Sequence, residues 1–146
     1  MILIIFSIVF LFLFIASYYD IKTGEIPLHV TLPLIVCGFV GSLFPMFFQN
    51  IIVGIIFLIV GYGAYKKGLF GGGDIKLILG VILCNPLADF TFIIYWLLIA
   101  SVLAIFVIGG KTLILKKKLT DEIKFAPYLF AAYFVVVAGY IIYVVW

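Results

Sequence analysis

The chain has 146 residues, of which 68% are apolar and 10% charged, with a net charge of +3. A soluble domain is about half apolar and a quarter charged, and a chain this short has too little interior to hide the excess, which must face lipid. A nucleic-acid surface is excluded as well, because the basic residues are scattered through short loops with no basic face interleaved with aromatics.

Six apolar segments follow in chain order, and they predict an all-α integral membrane protein with six transmembrane helices in a single domain over residues 1–146. The first covers about Met1 to Tyr19. It has no basic lead-in and no small-residue cleavage pattern after it, so it reads as a span rather than a removable signal peptide. The second runs from about Leu28 to Phe48 and the third from about Asn50 to Tyr65. The fourth starts near Asp74 and stops at Asn85-Pro86, where proline interrupts the pattern. The fifth runs from about Asp89 to Ile108 and the sixth from about Phe125 to Trp146.

Every basic residue apart from His29 is a lysine, and the lysines fall in three loops. Lys22 lies in the first; Lys66, Lys67 and Lys76 flank the third; Lys111, Lys116, Lys117, Lys118 and Lys124 lie around the fifth. The positive-inside rule makes these loops cytosolic and both termini external, an N-out/C-out arrangement in the cell membrane. The fourth segment is short: twelve residues at 1.5 Å each reach about 18 Å against a core of about 30 Å. Its cytosolic end, with Asp74, is drawn towards the membrane interior.

Glu25, Asp89, Asp121 and Glu122 have polar loop neighbours and read as solvated charges. Asp20 ends the first segment and Asp74 begins the fourth, both on the cytosolic side. Two carboxylates that meet can share one proton, one activating water and the other protonating a peptide carbonyl, which is aspartic-protease chemistry without metal or other cofactor. On spacing alone, interfacial residues that cap helices explain the same pattern. Gly71-Gly72-Gly73 before Asp74 allows unusual backbone angles and close approach of another backbone, as a peptide-binding site requires; a hinge with Asp74 as N-cap is the alternative. Cys37, Cys84 and the single His29 have no zinc or disulfide spacing and predict no metal. Lys22 and Lys76 read first as interfacial anchors, and Pro127 as the residue that sets the start of the last helix.

The run Gly71-Gly72-Gly73-Asp74-Ile75-Lys76-Leu77 resembles the GxGD-x-K-L signature of the type IV prepilin and preflagellin peptidases. Asp20-Ile21-Lys22 through Glu25-Ile26-Pro27 resembles the first-aspartate motif of that family, and Phe125-Ala126-Pro127-Tyr128-Leu129 its last-helix motif, PFGPFL. The three motifs occur in order over essentially the whole chain. The resemblance implies a GxGD aspartyl protease bundle that cleaves the basic leader from pilin-like or archaellin-like precursors at the cytosolic face. It implies a catalytic pair of Asp20 and Asp74, supported by Gly71, Gly72, Gly73, Lys76 and Pro127. Leu28, Lys124 and Ala126 depart from the family's usual asparagine, proline and glycine. The paired CxxC loop of bifunctional relatives is lacking, so N-methylation is not implied. A presenilin-like intramembrane protease shares part of the pattern, and a non-enzymatic carrier or assembly scaffold is the reading from another class. Helix ends suggest Asp74, at an N-terminus, as the initial base and Asp20, at a C-terminus, as the acid.

Overall fold

The computed structural model describes residues 2–41, 48–67, 70–85, 89–115 and 124–145, and every regular element among them is an α-helix. In chain order these are α1 (Ile2–Thr23), α2 (Leu28–Gly41), α3 (Phe48–Lys66), α4 (Gly72–Cys84), α5 (Phe90–Leu115) and α6 (Ala126–Val145). Four stretches are long and apolar enough to cross a membrane: Ile4–Thr23, Phe48–Lys66, Phe90–Gly110 and Ala126–Tyr143. Leu28–Gly41 is a shorter apolar helix, and α4 has 13 residues.

The boundaries differ from expectation where local chemistry allows a helix to continue. Nothing between Asp20 and Thr23 breaks α1, which runs on until Gly24, whose φ of 76° ends it. α4 begins at Gly72 rather than Asp74. α5 continues through Gly109-Gly110 to Leu115, because the glycines weaken a helix without terminating it. Phe48 opens α3 instead of closing the second segment. Asp89 is exposed, as a solvated charge would be, and has a further role: its Oδ1 accepts the Phe92 N–H at 2.7 Å, which makes it the cap of α5. The expected second-segment end at 42–47, the turn at 86–88, the Lys116–Lys118 run, Asp121, Glu122 and Trp146 lie outside the described residues.

α4 is the central helix, packed against α2, α3 and α1, while α6 packs against α1 and α5. The α2–α4 contact is close because small residues meet large ones across it. A side chain at Gly38 would fall against Leu83, and one at Gly80 against Leu34. Trp96 is fully buried and donates its indole N–H to the Leu129 carbonyl at 2.8 Å, joining α5 to α6. The outward side chains, such as Ile59, Ile105 and Phe106, are large, apolar and exposed, as lipid contact requires.

A short helix that ends among apolar side chains leaves carbonyls without donors. Asn50 of α3, itself fully buried, answers this by donating Nδ2 to the Asn85 carbonyl at 2.8 Å and approaching the Leu83 carbonyl at 3.4 Å. Replacing it by Leu takes this amide donor away from both carbonyls. We expect Asn50→Leu to destabilise the fold by about 1–2 kcal/mol, read as a lower thermal midpoint in detergent. An unchanged midpoint would mean that this cap contributes nothing.

Candidate active site

α1 carries Asp20 one turn before its end. Gly24 donates its N–H to the Asp20 carbonyl at 3.0 Å and turns the chain. Thr23 Oγ1 tightens the turn, 2.8 Å from the Tyr19 carbonyl and 3.0 Å from that of Glu25, while accepting the Glu25 N–H at 3.3 Å. This brings Ile26 onto the start of α4. A Cβ at Gly73 would come within 3.1 Å of Ile26 Cβ and 3.4 Å of its backbone nitrogen. The two aspartate motifs are therefore in direct contact, and Gly73 is the position that lets them meet.

The Asp20 side chain is only 5% exposed, so its polar partners decide its state. Its Oδ2 accepts the Ala126 N–H at 3.1 Å, from the first residue of α6. Ser17, one turn earlier on α1, places its hydroxyl 2.7 Å from the Leu13 carbonyl and 3.1 Å from the Ala126 carbonyl. Lys124 donates to the Ile21 carbonyl and attracts the Asp20 carboxylate. Asp20 thus faces the N-terminus of α6 as well as lying near the C-terminus of α1. The helix-end argument for Asp20 as the acid loses its basis, because the two dipoles oppose one another there.

Asp74 is the third residue of α4. Gly71, with φ −69° and ψ 147°, is the N-cap and has no side chain to serve its helix. Asp74 reaches back towards Gly71, the position from which an acid in the first turn can serve the backbone N–H of the N-cap. Asp74 is therefore not the N-cap. Among the described residues the one glycine with positive φ is Gly24, so Gly71, Gly72 and Gly73 serve close approach rather than unusual angles. A Cβ at Gly72 would touch the Tyr65 ring at 3.5 Å, and one at Gly71 would lie 3.1 Å from Asp74 Oδ2.

The Asp20 and Asp74 carboxyls are close enough to interact electrostatically. Phe70, just before Gly71, packs edge-on against Phe125, just before Ala126, with ring centroids 5.6 Å apart. An aromatic pair therefore bridges the approaches to α4 and α6 beside the two carboxyls. Lys76 is exposed on α4, as an anchor would be. Pro127 is the second residue of α6, where its missing N–H leaves no helical bond unmade. Among the described residues no three of His, Cys, Asp and Glu are grouped to hold a metal ion.

A sequence profile of the type IV leader peptidase family matches residues 7–109, a stretch that contains both aspartates. The chain belongs to the type IV leader peptidase family. No curated protein and no solved structure matches it. Family membership makes the chain a peptidase whose substrates are precursor proteins. With four helices able to cross a membrane, it is a multi-pass membrane peptidase. The matched stretch ends before α6, so the last-helix motif rests on its geometry: its Ala126 N–H binds Asp20. Ser17 and the Ala126 peptide escaped the sequence reading. The helical spacing of Ser17 and Asp20 on α1 was the available signal, but which partner they shared depends on the fold.

Proposed function

We propose that this leader peptidase is an aspartic endopeptidase in which Asp20 and Asp74 form the catalytic dyad. The observation that carries the reading is that the two aspartate segments touch, Ile26 against Gly73, which brings Asp20 of α1 and Asp74 of α4 within range for their charges to act on each other. Close carboxylates share a single proton, since both cannot ionise together without mutual repulsion. The ionised member removes a proton from water as the water oxygen attacks the scissile carbonyl carbon. The protonated member donates to the carbonyl oxygen. Collapse of the tetrahedral intermediate breaks the C–N bond, and the leaving amine takes a proton from the dyad. Gly71, Gly72 and Gly73 keep side chains away from the approach to Asp74, and Pro127 fixes the start of α6 beside Asp20.

The substrate class is a pilin-like or archaellin-like precursor with a short basic leader. All six helices cross the cell membrane with both termini outside, and the aspartates open to the cytosolic face, where the positive-inside rule places the lysine-bearing loops. The six helices form one domain.

Cleavage is tested by co-expressing the chain with a pilin-like precursor whose leader is basic and ends in glycine. The expected result is a shortened product whose mass corresponds to loss of the leader. A precursor in which the leader lysines are replaced by glutamates should be cut at least about tenfold more slowly, because a cytosolic leader site is defined by charge and position. Equal cutting of both precursors would remove the basic leader from the proposal.

A further inference from the structure

Resting on the dyad reading above, we propose that Ser17 and Lys124 are positioning residues for Asp20, acting by strapping the start of α6 to the end of α1. Three contacts make the strap. The Ser17 hydroxyl approaches the Ala126 carbonyl at 3.1 Å, the Ala126 N–H binds Asp20 Oδ2 at 3.1 Å, and the Lys124 ammonium binds the Ile21 carbonyl. One residue, Ala126, is thereby held at both its N–H and its carbonyl by side chains one helical turn apart on α1. The residues at the heart of the strap are buried: Ser17 and Asp20 are each 5% exposed and Ala126 is fully buried.

The chemical consequence is a division of labour between the two oxygens of one carboxylate. Oδ2 is committed to the Ala126 N–H, which leaves Oδ1 for the proton shared with Asp74 and for the attacking water. A carboxylate tethered at one oxygen cannot spin freely about its last bond, so the reacting oxygen keeps its place. Lys124 does two things at once. It satisfies a carbonyl at the C-terminus of α1 that has no helical donor, and its charge attracts Asp20. This chain carries lysine where proline is common in the resembling motif, and proline could do neither. Neither Ser17 nor Lys124 needs to touch the substrate, and their effect passes through Asp20.

The test uses the full chain in membranes, with precursor cutting followed at several precursor concentrations. Ser17→Ala and Lys124→Met are each expected to lower kcat on the order of tenfold with KM unchanged. Ser17→Thr and Lys124→Arg, which keep the hydroxyl and the donor, should restore most of it. Asp20→Asn is run beside them. If Asp20→Asn abolishes cutting while Ser17→Ala and Lys124→Met retain wild-type kcat, the strap is only structural and the proposal falls with the dyad intact. If the Thr and Arg variants fail to restore what Ala and Met lose, the hydroxyl and ammonium are not the groups responsible, and the proposal falls again. Cutting that survives Asp20→Asn overturns the dyad reading and the strap together.

Discussion

Asp20→Asn and Asp74→Asn should each reduce precursor cutting by about 10³-fold or more, because either change leaves the site with one titratable group where the reaction needs two. Asparagine is the informative replacement at both positions. The amide oxygen introduced by Asp20→Asn can still accept the Ala126 N–H, and the amide introduced by Asp74→Asn has the shape to keep the same place over Gly71. The strap and the start of α4 therefore survive, and what disappears is the exchangeable proton and the negative charge. The ratio of precursor to mature product on a blot measures the effect, with the amount of inserted enzyme determined in the same membranes. Since the two groups act as a unit, the double variant should be no slower than either single one. Full loss from Asp20→Asn with normal cutting by Asp74→Asn would make Asp74 a capping residue and would leave the proposed mechanism without its partner. Loss in both, at normal insertion, is the result that a dyad requires.

How much of this was legible beforehand follows from the range over which each signal acts. Apolar runs are long and local, so the six helices and their order could be read directly from the chain. So could the placing of Asp20 and Asp74 near helix ends, because charge is rare in these segments. Helix ends were less legible. Asp20 lies inside α1 because the continuation through Ile21, Lys22 and Thr23 costs little, and the stop is set by Gly24 two residues before Ile26-Pro27 begins. The role of the three glycines was half legible. Their small size was the right clue, but close approach to Ile26 and Tyr65 is a fact about other segments, which spacing along the chain does not contain. Least legible were the contacts that join distant parts of the sequence. Asp20 and Ala126 are 106 positions apart, and a backbone N–H carries no signature in residue type. The same holds for Asn50, a polar residue in an apolar helix whose purpose becomes clear only when α4 is seen to end beside it.

The second large effect concerns the helix that holds Asp74 in place. Gly38 of α2 meets the end of α4 so closely that an added Cβ would lie 2.5 Å from Leu83 Cβ and 2.8 Å from both the Cys84 nitrogen and the Leu83 carbonyl carbon. Two of those three atoms are backbone, so no rotamer change relieves the clash; α2 and α4 must move apart. Gly38→Ala should therefore destabilise the fold by about 1–3 kcal/mol, as overpacking in a dense interior does, despite alanine's better helix propensity. Activity should fall further than stability, because α4 is the element that carries Asp74, and misplacement by about 1 Å can cost on the order of a hundredfold in rate. Gly41 on the same helix provides the comparison. A Cβ there meets nothing within 4 Å, so Gly41→Ala should leave both the thermal midpoint in detergent and precursor cutting unchanged. Equal behaviour of the two variants would show that the α2–α4 contact yields without strain, and that Asp74 does not depend on it for its position. A drop confined to Gly38→Ala, with cutting lost at temperatures where the protein remains folded, would show that the packing of α2 against α4 sets the position of Asp74.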